Sequence, residues 1–312
     1  MSNKTDRKGM FDVSNKPDTY RNAIAIAVVK VSPQTISLVN EGKSPKGNII
    51  EAAKLSATMA AKRTWDLIPY CHPIPIDQVI VEVLIKEDSI EIIVETKSIW
   101  KTGVEMESLT GACIGALTVY DMLKPIDESL SIESIKLLEK TGGIKSFFQL
   151  GNARLRAIVL VISDSVADGR SVDKSGKIIQ NKLLEHDIEV VQYKVLPDDL
   201  DLIEKHLKEF CDKSQVNLVI TTGGTGLAPR DVTPEATEKV IQTEVLGISE
   251  AIRDYGQKRT PLSMLSRGRS GVRGKTLIVN LPGSQKAVSE SLNALFPGIL
   301  HTFAVLDGKR HS

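Results

Sequence analysis

The sequence predicts two domains of different class. The first is an α+β domain with an antiparallel sheet and helices, and the second is an α/β domain with a mainly parallel, doubly wound sheet. A chain of 312 residues suits about two domains of roughly 150 residues each. Before residue 150, two strands of alternating polarity flank a short turn, which indicates a hairpin. After residue 154, apolar strands alternate with helical segments, which is typical of a parallel sheet. We therefore expect domains at residues 1–150 and 155–312.

The first domain begins with an apolar, β-branched strand over residues 23–32. Apolar residues at spacings of three and four predict a helix over residues 48–68. The hairpin follows in QVIVEVLIK and SIEIIVETK, on either side of EDS. A second long helix is predicted over residues 103–124, and its Gly, Ala, Ser and Thr content indicates that another element packs closely against it. A last strand is predicted in SIKLLEK.

The second domain alternates strands and helices. The predicted strands are LRAIVLVIS, EVVQYKVL, NLVITT and KTLIVNL. Helices are predicted over residues 176–184 and 200–211, from Thr233 onward, and at the end of the chain. The two halves show no self-similarity, which favours a fusion over a repeat.

Composition excludes several classes of protein. Forty basic and 39 acidic residues give a net charge of +1, so neither a nucleic-acid partner nor an acidic tail is expected. The three cysteines are scattered without a Cys-x-x-Cys pair, which favours reduced cytoplasmic life and no structural metal. No apolar run approaches the ~20 residues of a membrane span, and the polar N-terminus lacks the apolar stretch of a signal peptide.

The carboxyl ends of the second domain's predicted strands carry polar or glycine-rich turns, where open parallel sheets bind ligands. Asp198 in LPDD and Asp231 in TTGGTGLAPRD are expected at this rim, and two carboxylates beside a phosphate cradle suit Mg²⁺. Arg230 is either a phosphate ligand or an ordinary loop arginine. GGTG alone could equally be a glycine turn without a ligand. The remaining predicted binding residues of the rim are Ser163, Asp164, Thr222, Gly223, Gly224, Thr225, Gly226, Pro282, Gly283 and Ser284.

ITTGGTGLAPRDVTPEAT and SRGRSGVRGKTLIVNLPGS resemble the MogA/MoaB family of molybdenum-cofactor biosynthesis. The resemblance implies a domain that binds molybdopterin and, in the MogA type, adenylylates it with Mg-ATP. The two aspartates that matter for catalysis in that type match Asp198 and Asp231. The alternative is a non-catalytic molybdopterin-binding or oligomerisation domain. Gln285 stands where many relatives have proline, and we expect no loss of chemistry from it.

LIPYCHPIPID, residues 67–77, places a cysteine beside a histidine among three prolines. Adjacent Cys71 and His72 chelate one ion poorly, and the other histidines all lie in the second half, so a metal site is not expected. A packed loop with an incidental histidine and a proline-stiffened loop with a catalytic or substrate-binding histidine both remain open.

The predicted helix 103–124 carries acidic residues far apart. Glu107 and Asp121 are fourteen residues apart, which is about 21 Å along a helix. Asp121 and Lys124 are three apart and can touch. If both ends matter, we expect an active site shared between subunits, with His72 opposite Glu107 and Asp121 of neighbouring chains.

FDVSNK, KGN, AAKRTWDLIPYCHPIPID, KTGVEMESLTGACIGALTVYDMLK and LLEKTGG resemble the MoaC family, cyclic pyranopterin monophosphate synthase. The resemblance implies an oligomeric α+β enzyme with sites at subunit interfaces. Its catalytic Asp matches Asp121, and its lysines match Lys46 and Lys124. Where the family commonly ends in KSGGKSG, this chain reads KTGGIKSFF, so Lys145 is given no role. The implied substrate-binding residues are Tyr70, Cys71, His72, Met106 and Glu107, with Arg21, Lys62 and Arg63 as triphosphate ligands; for Lys62 and Arg63 a solvated helix face is the alternative.

Together the two resemblances imply a bifunctional cytoplasmic enzyme. One domain, a lyase, would convert 3′,8-cyclo-7,8-dihydro-GTP to cyclic pyranopterin monophosphate and pyrophosphate. The other, a nucleotidyltransferase, would adenylylate molybdopterin with Mg-ATP. We expect these small molecules as partners, and a homo-oligomer with three-fold symmetry, either a trimer or a hexamer.

Overall fold

A computed structural model describes residues 9–143 and 154–308 of the chain. The chain divides into two compact units, Met1–Phe147 and Phe148–Ser312. Lys145 lies outside the described residues, as does most of the predicted junction at 150–154.

The first unit has a four-stranded sheet in the order β2-β3-β1-β4, and every strand pair is antiparallel. Helices accompany this sheet, so the predicted α+β class is confirmed. Its strands are β1 (Thr19–Lys30), β2 (Gln78–Ile85), β3 (Ser89–Trp100) and β4 (Ser131–Gly142). Its helices are α1 (Pro33–Asn40), α2 (Ile49–Lys62), α3 (Thr64–Leu67) and α4 (Glu105–Leu123).

Helices α2 and α4 pack closely through small residues, as the composition of α4 predicts. A Cβ at Gly115 would lie 3.3 Å from the Cβ of Ala57 and 3.6 Å from the carbonyl oxygen of Ala53. A Cβ at Gly111 would lie 3.1 Å from the carbonyl oxygen of Ala57 and 3.5 Å from the Cβ of Ala61. The two helices run antiparallel, because the later glycine of α4 meets the earlier alanines of α2. The segment before α2 therefore meets the end of α4, and the segment after α2 meets its beginning.

Two details of the first unit differ from the sequence prediction. The helix predicted over residues 48–68 ends at Lys62, because the Thr64 hydroxyl donates to the carbonyls of Ala60 and Ala61 and competes with the helical pattern. Helix α1 was missed, although Ser32 caps it and Pro33 occupies its first turn, which is an ordinary start signal.

The second unit has a six-stranded sheet in the order β6-β5-β7-β10-β9-β8. The first four strands pair in parallel and the last two antiparallel, so the mainly parallel α/β prediction is confirmed. Its strands are β5 (Arg156–Ile162), β6 (Glu189–Leu196), β7 (Leu218–Thr222), β8 (Thr243–Glu244), β9 (Ser270–Arg273) and β10 (Thr276–Leu281). Its helices are α5 (Asp164–Ala167), α6 (Ser175–Leu184), α7 (Leu200–Lys213), α8 (Thr233–Glu238), α9 (Leu246–Gln257), α10 (Gln285–Leu295) and α11 (His301–Leu306).

Both faces of this sheet are buried, which explains the continuous apolar runs of its strands. In β5, Val159 belongs to the apolar cluster on one face and Leu160 to the cluster on the other. Strands β8 and β9 and helix α9 were not predicted; β8 has only two residues, too few for a periodic pattern. Among the described residues, no helix is long and apolar enough to cross a membrane.

Candidate active sites

At the end of α4, one carboxylate is held between two lysines. Lys46 Nζ lies 2.7 Å from Asp121 Oδ2, and Lys124 Nζ lies 2.8 Å from Asp121 Oδ1. Lys46 also donates to the carbonyl of Asp121 at 2.9 Å. The hydrogen bonds from Lys124 and Lys46 hold the pKa of Asp121 down at about 2, and Asp121 raises the pKa of Lys124. The three implied catalytic residues are therefore brought together.

At the beginning of α4, Glu107 is buried with only 2% of its surface exposed. Its Oε2 has no hydrogen-bond partner among the described residues. Burial raises its pKa to about 7, and the nearby charge of Glu105 adds to the shift. A buried, incompletely paired carboxyl of this kind is typical of a binding or catalytic site.

The loop after α3 carries Tyr70, Cys71 and His72. Burial raises the pKa of the Cys71 thiol, and the charges of Glu107 and Glu105 raise it further. The loop and Glu107 therefore lie near each other within one chain, and the expectation that His72 faces Glu107 and Asp121 of neighbouring chains stays a prediction. His72 Nε2 lies 2.9 Å from the carbonyl oxygen of Phe11, and Tyr70 is 67% exposed.

The end of this loop is tied to strand β3. Ser98 donates to the carbonyl of Pro75 at 2.6 Å, and the amide of Ile99 donates to Asp77 Oδ2 at 2.8 Å. These bonds and the prolines fix the loop, as expected of a stiffened loop.

Arg21, on β1, is half-buried and donates to the carbonyls of Trp100 and Lys101 at 3.2 and 3.1 Å. Burial lowers its pKa, and the charge of Glu105 opposes that shift. Arg21 therefore supports the backbone near Glu105, and its role as a triphosphate ligand stays a prediction.

Lys62 and Arg63 are exposed at the end of α2, and Met106 is partly buried in the first turn of α4.

Helix α4 is unbroken from Glu105 to Leu123, so Glu107 and Asp121 are separated by about 21 Å along its axis. Within one chain, the two groups of predicted residues are thus two separate clusters.

The second unit has a cavity of about 570 Å³ beyond the carboxyl ends of its parallel strands. Arg230 and most of the predicted rim residues line it. Thr225, Gly226 and Pro282 do not line it, although Pro282 borders a neighbouring, smaller cavity of about 300 Å³. The predicted residues that line the larger cavity are Ser163, Asp164, Asp198, Thr222, Gly223, Gly224, Asp231, Gly283 and Ser284.

Asp164 and Asp198 are joined by two reciprocal hydrogen bonds. The amide of Asp164 donates to Asp198 Oδ2 at 3.1 Å, and the amide of Asp198 donates to Asp164 Oδ1 at 3.0 Å. Burial raises the pKa of Asp198, and the charges of Asp164 and Asp231 add to that shift while the Asp164 amide and Arg230 oppose it. The charges of Asp164 and Asp231 are thus both close enough to act on the Asp198 carboxylate.

The glycine turn after β7 is held in place by its own backbone. Gly223 has φ +103°, and its amide donates to the carbonyl of Leu281 at 3.2 Å. That donor is therefore occupied within the fold, while Gly223 itself lines the larger cavity, and its role as a binding residue stays a prediction. In the described part of the chain, the amides of Gly224, Thr225 and Gly226 make no hydrogen bond, and they can still serve an anion.

Asp198 and Asp231 fit a divalent cation. Each commits one carboxylate oxygen to a backbone amide, from Asp164 and Ala228 respectively. The second oxygen of each makes no hydrogen bond within residues 9–143 and 154–308. Mg²⁺ takes one or two protein carboxylates and keeps phosphate and water as its other ligands. No group of three or more metal-binding side chains is arranged around one point in these ranges, so the protein alone offers no closed metal site.

Sequence reasoning missed the segment 170–175, which also lines the larger cavity. Ser175 Oγ donates to the carbonyl of Gly283 at 2.7 Å. Asp173 accepts from the amide of Gly176 at 3.0 Å and from the hydroxyl of Tyr193. The sequence Asp173-Lys174-Ser175-Gly176 resembles a helix start, and this signal could have indicated the segment.

Two family matches cover most of the chain. Residues 10–143 match the MoaC family, and residues 158–301 match a family described as "Probable molybdopterin binding domain".

Two relatives found by sequence agree with this division. A molybdenum cofactor biosynthesis bifunctional protein from Chlorobaculum tepidum is 37% identical over 303 residues, covering 97% of this chain and 96% of the relative. A cyclic pyranopterin monophosphate synthase from Aquifex aeolicus is 46% identical over 138 residues, covering 44% of this chain and 54% of the relative. The solved structure of a molybdopterin biosynthesis enzyme MoaB from Thermus thermophilus is 42% identical, covers 51% of this chain and 99% of that chain, and has a TM-score of 0.48.

Proposed function

The chain belongs to the family of bifunctional molybdenum cofactor biosynthesis proteins, and we propose a separate reaction for each unit. The first unit converts 3′,8-cyclo-7,8-dihydro-GTP to cyclic pyranopterin monophosphate and pyrophosphate. The second unit adenylylates molybdopterin with Mg-ATP.

The first reaction needs proton transfers that rearrange the ring system, followed by attack of a substrate hydroxyl on the α-phosphate. The bond from that phosphorus to the bridging oxygen breaks, and pyrophosphate leaves. A carboxylate with a pKa of about 2 is ionised at neutral pH, so Asp121 orients both lysines and keeps Lys124 protonated. Lys46 and Lys124 can then donate protons and neutralise phosphate charge. The carboxylate held between two lysines is the observation that carries this assignment.

The separation of about 21 Å between Glu107 and Asp121 supports a site shared between subunits. One subunit would supply Asp121, Lys124 and Lys46, and another would supply Glu107, Met106 and the Tyr70–Cys71–His72 loop. A homo-oligomer follows from this arrangement, and a trimer or hexamer with three-fold symmetry is the state that we propose.

In the second reaction, the terminal phosphate oxygen of molybdopterin attacks the α-phosphorus of ATP, and pyrophosphate leaves. Both reactants are anions, so positioning and charge neutralisation carry the catalysis. Asp198 and Asp231 would hold Mg²⁺, which supplies positive charge at the phosphates. The free amide of Gly224 and the guanidinium of Arg230, which both line the cavity, would bind phosphate oxygens. The convergence of Asp164, Asp198 and Asp231 at one cavity carries this assignment.

Assays of the purified chain with each substrate separately test the proposal. We expect pyrophosphate release from the cyclised GTP, and Mg²⁺-dependent transfer of AMP from ATP to molybdopterin. If the second product never forms while molybdopterin still binds, the second unit is a molybdopterin-binding or oligomerisation domain instead.

A further inference from the structure

The loop between β7 and α8 carries Asp231. Its first two residues are fixed by the bond of Gly223 to Leu281 and by the bonds of Thr233 to the carbonyls of Gly223 and Gly224, whereas residues 225–231 form a separate turn. Its internal bonds join two residues, because the amide of Asp231 donates to the carbonyl of Ala228 and the amide of Ala228 donates to Asp231 Oδ2. Leu227, within the loop, is 66% exposed. These bonds shape a turn, but they do not fix the turn relative to the sheet.

Arg267, from the segment that precedes β9, binds both ends of this loop. Its Nε donates to the carbonyl of Gly226 at 2.7 Å, and its Nη2 donates to the carbonyl of Asp231 at 2.5 Å. Its backbone amide donates to the carbonyl of Thr225 at 3.0 Å. One residue therefore restrains the backbone on both sides of Ala228.

The guanidinium is itself oriented by a carboxylate. Its Nη1 is ion-paired with Glu235 in the first turn of α8. Three acceptors around one guanidinium suit the rigid fork of arginine, whereas the ammonium of lysine is a compact point charge on a flexible stem. The geometry thus depends on arginine at this position and not on positive charge alone.

We propose that Arg267 is a positioning residue for the reaction of the second unit. It holds the carbonyls of Gly226 and Asp231 so that the Asp231 carboxylate stays at the rim of the cavity. This inference rests on the proposed adenylylation, because Asp231 acts in that reaction. Arg267 would contact neither substrate and would act through the loop.

A neighbouring arginine provides a matched control. The Arg269 side chain is 33% exposed and that of Arg267 is 35% exposed. Arg269 is ion-paired with Glu238 and Glu244 at 3.2 and 2.7 Å, and neither carboxylate lies in the loop 225–231. Arg267→Met and Arg269→Met therefore remove similar ion pairs, but only the first removes the restraint on the loop.

The experiment compares Arg267→Met, Arg267→Lys and Arg269→Met in the full chain. For Arg267→Met we expect kcat for adenylylation to fall by about 100-fold, as for a displacement of about 1 Å in a catalytic group, with KM for molybdopterin little changed. We expect faster amide hydrogen exchange at Ala228 and Asp231 in that variant. Arg267→Lys should recover a minor part of kcat and of the protection from exchange. Arg269→Met should change neither kcat nor the exchange rates, but it should lower the thermal midpoint about as much as Arg267→Met does.

Equal kcat in Arg267→Met and Arg269→Met, or unchanged exchange at Ala228 and Asp231, overturns the inference. Failure of this inference can be distinguished from failure of the proposed function. If the unmutated chain forms no adenylylated molybdopterin, the adenylylation proposal fails and the catalytic role of Arg267 fails with it, while the exchange rates alone decide whether Arg267 restrains the loop.

Discussion

Asp121 is held between two lysines, one on its own helix and one from a distant part of the chain. The i, i+3 spacing predicts its contact with Lys124, and the structure confirms it at 2.8 Å. The contact with Lys46, 75 residues earlier in the chain, cannot be derived from local spacing. Lys46 was assigned to this site only through the resemblance to the MoaC family, because long-range contacts depend on how α2 and α4 pack.

Replacing Asp121 by Asn is expected to stop the reaction of the first unit. The neutral amide cannot hold two ammonium groups, so pyrophosphate release should fall by about 100-fold or more, the scale of a lost acid–base arrangement. Asp88→Asn is a matched control, since Asp88 is 53% exposed and paired with Lys30, as Asp121 is 55% exposed and paired with lysines. A steady-state pyrophosphate assay measures both, and equal rates for the two variants would contradict the role of Asp121.

Glu107 should make stability depend on pH. Its pKa is about 7 in the folded chain against a usual 4.5, so the unfolded chain loses this proton at lower pH than the folded chain does. Its contribution to stability is complete below pH 4.5 and is lost as pH rises towards 7. The loss is on the order of 3 kcal/mol in the free energy of unfolding.

Glu107→Gln removes this titration. We expect the variant and the unmutated chain to have similar free energies of unfolding at about pH 4.5, and the variant to be more stable at about pH 8. Urea unfolding at both pH values measures the difference. An unchanged slope of stability against pH in Glu107→Gln would show that another group causes it.

At the scale of elements, most strands and long helices follow from periodicity, and the exceptions have physical reasons. Helix α4 was predicted within one or two residues, because its small residues form a continuous pattern. At Gly223 the sequence predicts a glycine turn, but it does not predict that the Gly223 amide donates to the carbonyl of Leu281. The role of Arg267 could not be predicted either, because only the tertiary fold brings it to residues 226 and 231.

The glycine turn should tolerate no side chain. Gly224 and Gly274 have nearly the same φ, +61° and +59°, but a Cβ at Gly224 would lie 2.3 Å from Thr233 Oγ1 whereas Gly274 has open space. Both alanine variants should lose about 1 kcal/mol to the left-handed backbone. Gly224→Ala should lose a further 1–3 kcal/mol or so from overpacking, together with adenylylation. Thermal unfolding of the two variants measures this, and equal midpoints would mean that the turn can open without cost.

At the scale of the whole molecule, the two classes of strand pattern predict two units, and the structure divides the chain accordingly. The assembly of several chains does not follow from one chain. The length of α4 is relevant to the assembly, because this helix keeps Glu107 and Asp121 about 21 Å apart.

A shared site predicts complementation between inactive variants. In a mixed oligomer of Glu107→Gln and Asp121→Asn chains, some sites receive Asp121 from one chain and Glu107 from the other. Random pairing at two-chain sites should restore about a quarter of the normal rate of the first reaction. Co-expression followed by the pyrophosphate assay measures it. Activity no higher than that of either variant alone would place the whole site within one chain.

We propose that one chain carries two independent enzymes of molybdenum-cofactor assembly. The most direct test assays unmutated, Asp121→Asn and Asp231→Asn chains for both reactions. We expect the unmutated chain to perform both reactions. We expect Asp121→Asn to lose cyclic pyranopterin monophosphate formation alone and Asp231→Asn to lose adenylylation of molybdopterin alone. An unmutated chain that never adenylylates molybdopterin, or a single variant that loses both reactions, would contradict it.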